Sequence, residues 1–293
     1  MFPDNKGYTG EYSIVDSNPN YALNDSEIIS LLSELLGSPN WLGGDKQPFV
    51  LIHSKNNDPV SNIARTIERE AFEGRFPSNT AEMMRDTYKK YEDSSHFILI
   101  VDRRNNTPVG TMRLIENTET GMISLDDVFL DPIDNDNRGW GRENVMVNGR
   151  EVRSSKDLTD MGVVGLDIAT IAIRKGFRRE DRRSEEDISD YIILGLFYGL
   201  NEFSKANNVD LWFAILDDRV LKHLEGFGLF FDTYPGVEAK PYLDSPRSTP
   251  VFGVPNRLRE DFKNRHTEDG LYRLLAQGIG IQEIFYMGKE APF

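Results

Sequence analysis

The feature that most constrains the fold is a stretch over residues 165–203 in which an apolar strand, a basic turn and an apolar helix follow one another. The strand, residues 165–173, is rich in β-branched residues, which predicts burial on at least one face. The helix is predicted over residues 191–203, with Ser189 or Asp190 as its N-terminal cap. The turn between them contains Gly176 and the basic residues Arg174, Lys175, Arg178, Arg179, Arg182 and Arg183. Because a helix N-terminus presents free N–H groups and the positive end of the helix dipole, this order predicts an anion-binding site.

The overall charge argues against several classes of partner. The chain has 34 basic and 48 acidic residues, a net charge of −14 and a pI near 4.8. Binding to nucleic acid phosphates or to anionic lipid favours the opposite sign, so neither nucleic acid nor membrane is predicted as a partner. The chain has no cysteine, which rules out disulfides, thiolate catalysis and cysteine-ligated metal. No leader pattern opens the chain and no apolar run approaches ~18 residues, so we expect a soluble, cytoplasmic protein.

Changes in composition along the chain predict three parts. Residues 1–47 form an N-terminal extension with a short helix, and residues 48–254 form the main domain. Within that domain, residues 117–161 are polar and rich in Asp, Asn and Gly, which predicts an irregular insertion. Residues 255–293 are predicted as a C-terminal helical extension.

Hydrophobic periodicity places regular elements within these parts. Helices are predicted over residues 26–36, 58–72, 80–91, a short segment after Asp217 and Asp218, and 256–277. Strands are predicted at residues 48–53, from His96, from Val109, from Leu211 and at residues 249–254. In the last of these, Pro250 restricts the strand to a sheet edge or a strand start.

This order of elements resembles the fold of the GNAT acyltransferases over residues 48–254. The resemblance implies an α+β (mixed α/β) fold with a central mixed, splayed β-sheet flanked by helices. In that family a Q/R-x-x-G-x-G/A turn binds the pyrophosphate of an acyl donor. Here the turn begins at Arg174, has one glycine two residues later and is lengthened by EDRRSEED. The resemblance therefore implies that acetyl-CoA or a longer acyl-CoA binds at Ile171, Ile173, Arg174, Gly176, Arg178 and Arg179, where guanidinium groups can replace backbone donors.

Three local patterns resemble a branch of this fold, the acyl-homoserine-lactone synthases and N-acyl amino acid synthases. The first is Arg65 followed by Glu68, Glu70 and Phe72, and the second is Gly110-x-x-Arg113. The third is the run Asp167-Ile-Ala-Thr170-Ile-Ala-Ile173 within the predicted strand. This resemblance implies transfer of an acyl group from an acyl-CoA or acyl-carrier-protein thioester to the amine of a small molecule. Two alternatives stay open: a catalytically inactive GNAT-like binding or regulatory module, and a synthase that uses S-adenosylmethionine.

Acyl transfer to an amine needs a base, a polarised carbonyl and a group that stabilises the leaving thiolate. Asp167 is the candidate base, although a strand-end carboxylate can also serve only the backbone. His223 is the candidate acid, with Tyr234 as a substitute, although a histidine on a short helix is more often a packing residue.

The candidate acceptor site comprises Arg113, Asp126 and Asp127. Arg113 suits either the carboxylate of an acceptor or a structural ion pair, and the two aspartates suit either an acceptor amine or a solvated turn. The remaining histidines have no metal-ligand spacing, so no metal site is predicted.

Overall fold

The computed structural model of the 293-residue chain describes residues 4–8, 19–39, 48–76, 79–133, 138–178, 188–265, 270–278, 281 and 283–287. The chain divides into two compact units. Unit 1 comprises Met1–Arg113, Thr170–Phe203 and Glu268–Phe293, and unit 2 comprises Leu114–Ala169 and Ser204–Thr267.

The helices alternate with strands along most of the chain. The helices are α1 (Asp25–Leu36), α2 (Pro59–Glu73), α3 (Ala81–Tyr88), α4 (Ile123–Phe129), α5 (Ser155–Asp160), α6 (Ile188–Ala206), α7 (Asp218–Gly226), α8 (Pro255–Arg265) and α9 (Gly270–Gln277), with a 3-10 helix at Lys89–Ser94. The strands are β1 (Asp4–Tyr8), β2 (Phe49–Lys55), β3 (Ser95–Asp102), β4 (Thr107–Glu116), β5 (Val145–Val147), β6 (Arg150–Val152), β7 (Gly165–Ile173), β8 (Leu211–Asp217), β9 (Asp232–Thr233), β10 (Lys240–Tyr242), β11 (Ser245–Gly253) and β12 (Glu283–Met287). Among the described helices, none has the length and apolar character needed to cross a membrane.

Unit 1 is a mixed sheet with helices on both faces. Its strands lie in the order β1-β12-β2-β3-β4-β7, with β12 parallel to β1 and β2 and with β2 antiparallel to β3. Alternate residues of β2 and β3, such as Ile52 and Leu99, pack with α1 and α2 in one core cluster. The other face meets α6, where Gly195 and Gly199 lie so close to Ile100 and Ile98 that an added Cβ would be 2.9 and 3.0 Å away. These glycines allow the long apolar helix to lie directly on the strands.

Unit 2 contains the remaining parts of β4 and β7 and the strands after α6. Its order is β4-β7-β8-β11-β10, and β9 also pairs with β11. β7 runs parallel to β8, and their pairing covers only Gly165–Asp167 opposite Leu211–Phe213. α4, the β5–β6 hairpin and α5 pack with Phe213 and Phe252 in a second core cluster. The predicted mixed α/β fold with a mixed sheet flanked by helices is confirmed.

α1 begins with a capping box, whereas the N-terminal cap predicted for α6 was wrong. The Asn24 side chain accepts hydrogen bonds from the backbone N–H groups of Ser26 and Glu27, and the Glu27 carboxylate accepts one from the Asn24 backbone N–H. α6 begins at Ile188, so Ser189 and Asp190 lie in its first turn and do not cap it. The apolar pattern locates the body of a helix, whereas a polar first turn can belong to the helix or precede it.

Three further segments differ from the sequence prediction. Residues 117–161 contain α4, α5 and the β5–β6 hairpin, because short elements with few apolar residues give no clear periodicity. Pro250 lies inside β11, opposite Ile215, between the segments of β11 that pair with β9 and with β10. The C-terminal residues form two helices followed by a strand that pairs between β1 and β2. The boundaries predicted at residues 47 and 254 stay a prediction.

Candidate functional site

The Asp167 carboxylate is the centre of the candidate site in unit 2. It is the last residue of β7 that pairs with β8, and its side chain is fully buried. Ser124, in the first turn of α4, holds both carboxylate oxygens: its backbone N–H donates to Oδ2 over 2.6 Å and its hydroxyl donates to Oδ1 over 2.7 Å. Asp167 therefore has a fixed orientation without an ion pair to any basic residue in the described part of the chain.

The protonation of Asp167 is poised near neutrality. Burial is the largest cause, and with the nearby charges of Asp126 and Asp127 it raises the pKa of the Asp167 carboxyl to about 7. The hydrogen bonds from Ser124 act in the opposite direction, because they stabilise the ionised form. A carboxyl with this pKa can both accept and release a proton at neutral pH.

Asp126 and Asp127, on α4, differ in their surroundings. Asp126 is half-buried and accepts a hydrogen bond from the Ser155 hydroxyl. Asp127 is buried, and its Oδ2 accepts from Arg138 Nε and from the Tyr242 hydroxyl, both over 2.6 Å. Burial raises the pKa of Asp127 although Arg138 lowers it. Of the two carboxylates, Asp126 has the greater exposure to a ligand.

The two candidate proton donors, Tyr234 and His223, have different surroundings. Tyr234 is 2% exposed and contacts the Phe252 ring, with centroids 5.3 Å apart. Its hydroxyl has no hydrogen-bond partner among the described residues, and burial and the charge of Asp167 raise its pKa well above the usual range. His223 lies on α7, half-buried, with its ring at an edge-on angle to Phe227. The charge of Asp167 therefore acts on Tyr234.

The predicted donor turn in unit 1 is held by internal contacts. The Arg174 guanidinium contacts Glu70 over 3.1 Å and Asp25 over 2.6 Å. Arg178 donates to the carbonyl oxygens of Ile173 and Ala71 over 3.0 and 2.9 Å. Both arginines therefore fix the turn to α1 and α2.

The other residues predicted to bind the donor are Gly176, Ile171, Ile173 and Arg179. Gly176 has a φ of +88°, a conformation that a residue with a Cβ rarely adopts. Ile171 and Ile173 are half-buried near the end of β7. Arg179 lies outside the described residues. A cavity of about 520 Å³ opens at the turn, and its lining includes Asp25, Glu70, Arg174, Lys175, Gly176 and Phe177.

Arg113 lies in a separate, fully buried charged cluster of unit 1. Its guanidinium donates to Glu68 over 2.8 Å and to Glu92 over 3.2 Å, and Arg65 also pairs with Glu92. The Tyr21 hydroxyl accepts from Arg113 and donates to Glu92. This geometry corresponds to the structural ion pair that the sequence left open as one of two roles for Arg113.

The structure thus divides the predicted residues into two groups. Asp126, Asp127, Asp167 and His223 belong to unit 2, and the first three are near enough for their charges to interact. Unit 1 holds Arg113 and the donor-turn residues, with Arg113 in its own buried cluster.

Sequence reasoning missed Ser124. Its only signal was its position two residues before the aspartate pair. A sequence pattern does not reveal that a serine in one helix faces a carboxylate in a strand 43 residues away. Within the described residues, no group of three or more His, Asp or Glu side chains could hold a metal ion.

Comparison with known proteins gave likeness of structure only. No family model and no curated protein matches the sequence. The chain is similar to FeeM, an N-acyl amino acid synthase from uncultured soil microbes, with a TM-score of 0.48, 12% identity, and coverage of 74% of this chain and 97% of that chain. It is also similar to BjaI, a CoA-dependent acyl-homoserine lactone synthase, with a TM-score of 0.45, 12% identity, and coverage of 83% and 95%. A protein assigned to the GNAT acetyltransferases from Desulfovibrio desulfuricans has a TM-score of 0.37, 11% identity, and coverage of 70% and 99%.

Proposed function

We propose that this protein is an acyltransferase that moves an acyl group from an acyl-CoA or acyl-carrier-protein thioester to the amine of a small molecule. One observation carries the proposal: Asp167 is a fully buried carboxyl with a pKa of about 7, at the residue where β7 and β8 stop pairing. A buried carboxylate that serves only stability is usually paired with a cation, because an unpaired buried charge is costly. Its retention without such a partner favours a role in proton transfer.

The proposed reaction begins with loss of a proton from the acceptor ammonium to Asp167. The freed nitrogen lone pair attacks the thioester carbonyl carbon and forms the C–N bond. The tetrahedral intermediate then expels the thiolate as the C–S bond breaks, and the nitrogen loses its second proton to solvent. Asp126, half-buried beside Asp167, is the carboxylate that we assign to binding the ammonium, with Asp127 as a second negative charge.

The leaving thiolate needs a hydrogen-bond donor. We assign this role to Tyr234, because its hydroxyl lies within electrostatic reach of Asp167 and has no other partner among the described residues. Its raised pKa keeps it protonated, so it stabilises the thiolate by a hydrogen bond and does not itself ionise. His223 remains the alternative proton donor.

For the donor, we propose that Lys175 and the turn around Gly176 receive phosphate at the cavity in unit 1. Lys175 is exposed there, whereas the guanidinium of Arg174 is already neutralised by Glu70 and Asp25. Arg178 then holds the turn to α2 through the carbonyl oxygen of Ala71. An acyl-CoA carries such phosphates, and we propose it as the first donor to test.

The test measures thiol release from acetyl-CoA and longer acyl-CoAs, and from an acylated carrier protein, in the presence of a panel of amino acids and small amines. Because the chain has no cysteine, a thiol-reactive dye detects the product without background from the protein. We expect turnover by the natural protein and a loss of about 100-fold or more in kcat for Asp167→Asn. The matched control, Asp160→Asn on the exposed end of α5, should keep full activity. Absence of thiol release with every donor and acceptor would refute the proposal.

A second candidate, a binding module without catalysis, is favoured by one observation. The guanidinium groups of Arg174 and Arg178, the two arginines of the donor turn within the described residues, are engaged by protein atoms, which reduces the positive charge that they offer to a donor phosphate. This candidate predicts that acyl-CoA raises the melting temperature while no thiol is released. Thermal melting with and without acyl-CoA, read beside the thiol assay, separates the two functions.

A further inference from the structure

Ser124 is the hydrogen-bond partner of Asp167, and it is the more exposed of the two residues. Asp167 is fully buried, and both of its carboxylate oxygens are occupied by hydrogen bonds from Ser124. Ser124 is 5% exposed whereas Asp167 has no exposed surface, so Ser124 is the residue of this pair that contacts the surface of the unit. The Ser124 hydroxyl donates its hydrogen to Oδ1, and its oxygen accepts no hydrogen bond among the described residues.

We propose that Ser124 relays the proton from the acceptor ammonium to Asp167; this inference rests on the proposed acyltransferase function. A hydroxyl has one hydrogen to donate and two lone pairs with which to accept. In the relay, the Ser124 oxygen accepts a proton from the ammonium while its own proton moves to Oδ1 of Asp167. The serine is unchanged after the step, the ammonium has become a neutral amine, and the carboxylate has become a carboxylic acid.

The backbone contact makes the relay geometrically possible. The Ser124 N–H bond to Oδ2 fixes the carboxylate independently of the hydroxyl, so the hydroxyl can exchange its proton without releasing Asp167. Ser124 lies in the first turn of α4 and Asp126 in the same helix two residues later, which places the proposed ammonium-binding carboxylate and the relay on one short element.

The test compares Ser124→Ala and Ser124→Thr with the natural protein in the thiol-release assay over pH 5.5–9, a range chosen around the pKa of about 7 for Asp167. We expect Ser124→Ala to lower kcat by about 100-fold, since the proton path is lost while the backbone bond to Asp167 is kept. Its activity should also rise at a higher pH than that of the natural protein, because the hydroxyl bond that lowers the Asp167 pKa is gone. Ser124→Thr restores a hydroxyl and should recover activity to within about fivefold.

Controls separate this inference from the proposed function and from misfolding. Ser154→Ala removes a hydroxyl that bonds only Asp157 and should leave activity unchanged. Circular dichroism and thermal melting establish that the Ser124 variants are folded. Full activity and an unchanged pH profile in Ser124→Ala, together with an inactive Asp167→Asn, would overturn the relay and keep the acyltransferase. Absence of thiol release by the natural protein would overturn both.

Discussion

The two units each bury acidic side chains, and they treat the charge in opposite ways. In unit 1, Glu68 and Glu92 are buried against Arg65 and Arg113. Burial raises the pKa of Glu92, but the two guanidinium groups outweigh this and hold the pKa below its usual value. In unit 2, Asp167 has hydrogen bonds from Ser124 but no guanidinium, and its pKa rises to about 7.

This difference shows how surroundings assign a role to a buried carboxyl. In the unit 1 cluster two arginines face two glutamates, and the pairing lowers the pKa of Glu92 and raises the pKa of Arg113. Both shifts favour the ionised forms, which suits a structural ion pair and not proton exchange near neutral pH. The hydrogen bonds from Ser124 only partly offset the effect of burial on the Asp167 carboxylate. Asp167 can therefore gain or lose a proton near neutral pH, as a catalytic base must.

The largest effect on stability should follow from breaking the charge balance of unit 1. Arg113→Met removes a cation with no exposed side-chain surface and leaves Glu68 and Glu92 underpaired. We expect a loss of about 3–5 kcal/mol in the free energy of unfolding, measured by urea denaturation. The control Arg153→Met, whose exposed side chain forms an ion pair with the exposed Glu151, should leave the free energy of unfolding nearly unchanged. A loss for Arg113→Met as small as that of the control would mean that the cluster is not the stabilising unit that its geometry indicates.

A smaller effect on stability is expected in unit 2, where the natural protein should become less stable than the Asp167→Asn variant as the pH rises. Because the pKa of Asp167 is higher in the folded than in the unfolded chain, its contribution to stability is complete below the unfolded pKa and is lost as pH rises through about 7. Asp167→Asn lacks this titration. Relative to the variant, the natural protein should therefore lose about 2–3 kcal/mol between pH 5 and pH 8. Urea denaturation of both proteins at pH 5 and pH 8 measures this loss. The same difference in free energy of unfolding at both pH values would show that the pKa of Asp167 is not raised in the folded protein.

The smallest effect on stability is expected from removal of one hydroxyl, that of Tyr21 in the unit 1 cluster. Tyr21→Phe removes a group that accepts from Arg113 over 2.7 Å and donates to Glu92 over 2.8 Å. We expect a loss of about 1–3 kcal/mol in the free energy of unfolding, because two buried charged groups each lose a partner. Tyr191→Phe, on the exposed side of α6, is the control and should have little effect. Equal melting temperatures for the two variants would show that Tyr21 does not complete the cluster.

Much of the fold could be predicted from the sequence because it depends on local pattern. The β-branched run of β7 and the apolar helix α6 are long and unambiguous, and Asn24 is followed by Glu27 at capping-box spacing. The sequence also singled out Asp167, Asp126 and Asp127. By contrast, β12 was interpreted as part of a helical extension, because its position in the sheet depends on pairing with β1 and β2 and not on its own residues.

The order of strand, basic turn and helix, the absence of thiol chemistry and the strand position of the candidate base all follow from the amino-acid sequence. The role of each charged side chain follows from the three-dimensional fold. Arg113 and Asp167 both lie on predicted strands, and both are fully buried. The helix that each side chain faces supplies either a carboxylate, as α2 does through Glu68, or a serine, as α4 does through Ser124. The physical reason is that the pKa of a buried group depends on the partners around it, and those partners come from distant parts of the chain.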